Sequence, residues 1–101
     1  MRTPVLIIGS GLAGLITAYR LGQKGIECTV VTPEEDPIEG SNSVFAQGGI
    51  IYRSPQDHPE SLTEDVMAAG DQINYEPAVS QLATHGISYV QEILMKELQV
   101  P

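Results

Sequence analysis

The chain opens on four consecutive apolar residues, Val5-Leu6-Ile7-Ile8, with no polar alternation among them. A run of that kind predicts a strand buried on both faces. The period then changes. Leu12, Leu15, Ile16, Tyr19 and Leu21 recur at helical spacing, with Ala13 and Ala18 among them, and predict a helix ending near Gly22 to Gly25. Gly25 suits a left-handed cap. Cys28-Thr29-Val30-Val31 reads as a second strand. The front of the chain is therefore β-α-β, with parallel strands and a right-handed crossover.

Pro33 stops the second strand. Residues 33–43 hold two prolines, four acids and Gly40, which predicts a loop. Ile50-Ile51-Tyr52 reads as a short strand or an extended arm. Asp57-His58-Pro59-Glu60 is a helix start, with Asp57 as the cap, Pro59 in the first turn and Glu60 at the capping-box position. Leu62, Val66 and Ala69 form its apolar face, and Gly70 ends it. Asn74 with Glu76 and Pro77 opens a third helix, whose stripe is Val79, Leu82, Ala83, Val90, Ile93 and Leu94. Gly86 lies on that stripe and costs roughly 1 kcal/mol relative to alanine, so it marks a bend or a break. Two strands do not make a stable open sheet, and nothing after Tyr52 reads as a third parallel strand. With Val100-Pro101 following directly on a helical pattern, the expectation is an incomplete domain, the front part of a longer protein.

Composition narrows the classes. The 101 residues are 42% hydrophobic, which is globular rather than disordered. A formal net charge of -8 disfavours nucleic acid and anionic membrane surfaces as partners. Ten of the 13 acids fall between Glu34 and Glu76, and read as solvated loop and helix surface. Cys28 is the single cysteine, so no internal disulfide can form, and its apolar surroundings assign it to the core. No segment has the length of a membrane span or the pattern of a signal peptide, which makes the cytoplasm the default location. No Cys/His cluster has metal-ligand spacing, and no metal site is expected.

Gly9-Ser10-Gly11-Leu12-Ala13-Gly14 carries the chemistry. It has the G-x-G-x-x-G pattern, placed between a strand and a helix. Gly9 permits the tight turn, Gly11 lets backbone approach a pyrophosphate, and Gly14 lets helix and strand pack closely. The helix N-terminus offers N–H groups and partial positive charge to the anion. The bland alternative is a structural βα turn without a ligand. A ribose-binding acid commonly follows the second strand of such a unit. Here Thr32 and Pro33 hold that place, and Glu34 and Glu35 come after them, as ribose ligands or as solvated loop acids.

The fingerprint does not separate FAD from NAD. The segment Ser41-Asn42-Ser43-Val44-Phe45-Ala46-Gln47-Gly48-Gly49 points further. It resembles the flavin-binding stretch of the fumarate reductase and succinate dehydrogenase flavoprotein family, and within it the branch that oxidises L-aspartate. The resemblance runs through the fingerprint, the Ala46-Gln47-Gly48-Gly49 run, the Leu62 to Gly70 stretch and the helix from Glu76. It implies a Rossmann-type FAD-binding domain. Hydroxyls of Ser41 and Ser43 and amides of Asn42 and Gln47 suit flavin and diphosphate atoms, and Gly48 and Gly49 let backbone lie against a flat ring. Many respiratory members carry histidine at the place of Asn42 and bond it to the flavin. An amide is no comparable nucleophile, so Asn42 implies non-covalent FAD. Pro33 departs from the pattern, since aspartate-oxidising members often carry lysine there, and this sets the adenosine end apart.

The resemblance further implies oxidation of L-aspartate to iminoaspartate, the first step of NAD biosynthesis from aspartate. Oxygen or fumarate would be the electron acceptor and quinolinate synthase the recipient of the imine. In the family the substrate and proton-transfer residues come from later segments, so no catalytic residue is assigned here. Arg2 and Arg20 belong to the cofactor-side scaffold, Arg53 and His85 to the surface, and His58 to a helix start. Three other readings stay open: a soluble fumarate reductase-like flavoprotein, an inactive nucleotide-binding fragment, and an NAD-dependent dehydrogenase, against which the Gln47-Gly48-Gly49 segment argues.

Overall fold

The computed structural model describes residues 2–47, 49–52 and 54–100. The chain divides into two compact units, residues 1–48 and 49–101. Arg53 and Gly48 lie outside the described residues.

The first unit runs β1 (Val5–Ile8), α1 (Leu12–Gln23), β2 (Cys28–Val31) and a single turn, α2 (Asn42–Phe45). β1 and β2 pair in parallel, with Val5 opposite Cys28 and Ile8 opposite Val31. The Gly9 N–H adds one more bond to the Val31 carbonyl at 2.8 Å. Gly9 then turns at φ +107°, a conformation open to glycine and strained for other residues. At the far end of α1 the expected cap is present. The Gly25 N–H bonds Gly22 at 2.9 Å, the Ile26 N–H bonds Leu21 at 3.0 Å, and Gly25 has φ +68°. This 5→2 and 6→1 pair is a Schellman motif.

Burial departs from the expected double-faced strand. Helix α1 covers one face of the pair, where Ile7 is buried against Gly14. Leu6 is 55% exposed and Ile8 84% exposed. Strand residues alternate faces, so one helix covers only half of β1. Cys28 is half-buried rather than a core residue. The expected loop over 33–43 gives way to α2 at Asn42.

The second unit is helical. Residues 49–52 form no strand, which leaves the arm as the reading for Ile50-Ile51-Tyr52. Helix α3 (Pro59–Ala69) packs on α4 (Glu76–Tyr89), which continues into a π-type segment, Val90–Glu97. His58, not Asp57, is the N-cap of α3, because the Asp57 carboxylate turns back to accept the Ser54 N–H at 3.2 Å. Pro59 and Glu60 occupy the first turn as expected. Gly70 ends α3 with φ −90°. The left-handed positions are Asp71 (φ 53°) and Gln72 (φ 61°). Gly70 has a different use: a Cβ there would run into the Asn74 amide, which donates to the Val66 carbonyl at 2.9 Å. Asn74 therefore closes α3, and Tyr75 is the N-cap of α4.

The core of this unit is Val79, Ala83, Ile87 and Ile93. Four-residue steps carry the ridge along α4, which leaves Leu82 exposed and includes Ile87, a residue the expected stripe omits. The next buried position, Ile93, lies in the π-type segment. The helix passes through Gly86 without a break, and the irregularity comes later, from Val90.

Candidate functional site

Of the expected site residues of the first unit, Gly9 to Gly14 lead into α1, and Ser41 and Ser43 approach its N-terminus. Gly11 is its N-cap, with extended backbone and no side chain to bond the first turn. The first intrahelical bond runs from the Leu15 N–H to the Gly11 carbonyl at 3.0 Å, so the N–H groups of residues 12 to 14 have no acceptor within the helix. No acidic residue stands in this first turn. Ser10 is buried, at 5% exposure, and Leu12 and Ala13 are exposed. Gly14 makes the close packing possible: a Cβ there would run into the Gly9 carbonyl and approach the Ile7 side chain to 3.3 Å.

The second segment meets this end of the helix. α2 holds Asn42, Ser43, Val44 and Phe45, after Ser41 as its N-cap. The Leu12 N–H donates to the Ser43 hydroxyl at 3.0 Å, across 31 residues of sequence. A Cβ on Gly11 would lie 3.3 Å from Ser43 Oγ and 3.7 Å from Ser41 Cβ. Ser41 is half-buried, and Asn42, Val44, Phe45, Ala46 and Gln47 are exposed. Gly48 is outside the described residues, and Gly49 belongs to the second unit. Sequence patterns carry no trace of the Ser43 contact, because residues that far apart share no periodicity.

Around this centre the remaining candidates sort readily. Glu34 and Glu35 are both exposed. The Glu34 side chain lies against Gly40, where a Cβ would collide with it, next to Ser41 in the chain. Arg20 bonds Gln23 Oε1 at 3.1 Å near the C-terminal end of α1. At ~1.5 Å per residue that is about 12 Å along the axis from Leu12. Arg2 is exposed, as are His58 and His85. Among the described residues, no group of three His, Cys, Asp or Glu side chains could hold a metal ion.

A helix N-terminus free of acids, flanked by the Ser43 hydroxyl and close-packed through Gly14, matches the donor set that a diphosphate requires. A profile of the FAD binding domain family matches residues 4–100. The chain belongs to this family. FAD is thus the cofactor, and the donors at the head of α1 and on α2 fit its diphosphate.

This FAD binding domain is similar to known L-aspartate oxidases. It is 37% identical over 99 residues to L-aspartate oxidase of Halobacterium salinarum, covering 98% of this chain and 19% of that protein. It is 35% identical over 89 residues to the chloroplastic L-aspartate oxidase of Arabidopsis thaliana, covering 87% of this chain and 13% of that protein. It is 45% identical over 71 residues to L-aspartate oxidase of Pyrococcus furiosus, covering 69% and 15%. The chain spans a fifth or less of the length of these relatives. No solved structure matches it.

Proposed function

We propose that residues 1–101 form the N-terminal part of the FAD-binding domain of a longer oxidoreductase, which oxidises L-aspartate to iminoaspartate in the first step of NAD biosynthesis. The observation that carries this reading is the coincidence of two features. The residues that converge at the head of α1 suit a diphosphate, and the chain is 37% identical, over nearly its whole length, to an L-aspartate oxidase.

When bound, FAD supplies the oxidising chemistry by accepting hydride from the substrate α-carbon. This chain binds and orients the cofactor. Gly9, Ser10, Gly11, Leu12, Ala13 and Gly14 hold the diphosphate, with the N–H groups of the first turn as donors. Ser41, Asn42, Ser43, Val44, Phe45, Ala46, Gln47, Gly48 and Gly49 make up the flavin side. Asn42 keeps the flavin non-covalent. Recognition of a dicarboxylate calls for Arg and His, which this chain does not concentrate at the head of α1, so the catalytic residues belong to other segments of the protein. Oxygen or fumarate is the electron acceptor, and the imine passes to quinolinate synthase. The proposed location is the cytoplasm: among the described residues no helix is long and apolar enough to cross a membrane, and the charge balance is acidic.

The test is to assay the full-length protein with L-aspartate and, separately, with succinate. Turnover of L-aspartate with release of iminoaspartate is expected. Turnover of succinate without L-aspartate would transfer the protein to the fumarate reductase-like class. Absence of a flavin absorption band would sink the cofactor assignment as well.

A further inference from the structure

Helix α2 has only four residues, and a single turn does not pay its own nucleation entropy. At its ends the Val44 N–H bonds Ser41 at 3.1 Å and the Ala46 N–H bonds Ser43 at 3.4 Å, the second of them long. Apolar burial does not hold it either, since Val44 is 49% and Phe45 72% exposed. α2 is also tied from outside its own turn, by contact with the fingerprint. Ser43 Oγ accepts the Leu12 N–H at 3.0 Å, and the missing Cβ of Gly11 leaves room for that approach.

We infer that Ser43 is a positioning residue, whose hydroxyl ties the second segment to the head of α1 before any cofactor arrives. The glycine N-cap of α1 has no side chain to bond the first turn, and Ser43 supplies that cap from 31 residues away. Gly11 then serves two neighbours, the diphosphate and Ser43. A hydroxyl that accepts one N–H keeps its own proton. Ser43 can therefore cap the helix and still donate to an anionic oxygen placed over it. The two halves of the cradle are joined directly, so the cofactor meets a formed site rather than two independent loops. The tie itself does not depend on the proposed substrate. Only its effect on cofactor binding rests on the reading of this site as an FAD cradle.

The experiment uses the full-length protein stripped of FAD, as wild type, Ser43→Ala and Ser43→Thr, and follows amide hydrogen exchange by mass spectrometry. Loss of one neutral hydrogen bond corresponds to about a fivefold change. In the FAD-free protein, Ser43→Ala should therefore exchange about fivefold faster at Leu12 and at residues 44–46, and Ser43→Thr should match the wild type. FAD association, followed by flavin fluorescence quenching, should slow in Ser43→Ala and recover in Ser43→Thr. Equal exchange at these amides in FAD-free wild type and Ser43→Ala would overturn the inference, leaving Ser43 as a cofactor ligand alone. If Ser43→Ala does not fold, Ser43→Cys replaces it: a thiol is a weak acceptor, and unchanged exchange at Leu12 and at residues 44–46 would again overturn the tie. A wild type that takes up no FAD would sink the cradle reading, while the FAD-free exchange comparison would still decide the tie.

Discussion

Single residues with missing side chains set the geometry of this cradle. Gly14 is the tightest case, because any Cβ there meets the Gly9 carbonyl, which is backbone and cannot swing aside. Gly14→Ala is expected to destabilise the protein by about 1–3 kcal/mol, the usual range for overpacking. It should also release FAD on desalting, read as loss of flavin absorbance from the protein fraction. Asn42 carries a chemical prediction. It is exposed on α2 and presents an amide, so SDS or acid denaturation of the full-length holoprotein should release all the flavin. Yellow colour retained on the denatured chain would show a covalent bond and refute this. Gln72 illustrates the opposite use of glycine. It stands at φ 61° without being glycine, so Gln72→Gly should raise stability by about 1 kcal/mol in urea denaturation.

At the scale of elements, boundaries turn on contacts that the local pattern does not contain. The β1, α1 and β2 spans follow directly from their apolar spacing, and the Schellman motif at Gly25 from its glycine. α3 and α4 also lie where periodicity places them, yet their caps shift. Asp57 accepts the Ser54 N–H with its carboxylate and Asn74 donates its amide N–H to the Val66 carbonyl, and His58 and Tyr75 are the N-caps. Gly86 invites a break, but the Ala83 and Ile87 contacts on either side of it carry α4 through. A Cβ at Gly86 would meet nothing within 4 Å. Gly86→Ala should therefore stabilise the second unit by roughly 1 kcal/mol, the helix-propensity difference, read as a higher melting temperature of the full-length protein. A fall in stability would show that the position needs glycine for a reason outside its helix.

At the scale of the molecule, the apolar surface of the first unit is what governs behaviour. Leu6, Ile8, Leu12, Leu15 and Val31 are all exposed, and a two-stranded sheet with one helix cannot cover both faces of β1. The isolated chain is expected to melt without a sharp cooperative transition, and to bind FAD weakly or not at all in a fluorescence titration. A steep monomeric transition would contradict this. The sequence by itself determined the β-α-β order, the glycine fingerprint, the helical spans and the family resemblance, because each depends on residues a few positions apart. The profile match and the aspartate oxidase relatives agree with that resemblance. Only the tertiary structure decided that Ser43 bonds Leu12, that Gly11 makes room for it, and that Leu6 and Ile8 stay uncovered. Those facts depend on which distant groups meet across a loop and which faces find a neighbour, and no local periodicity encodes either.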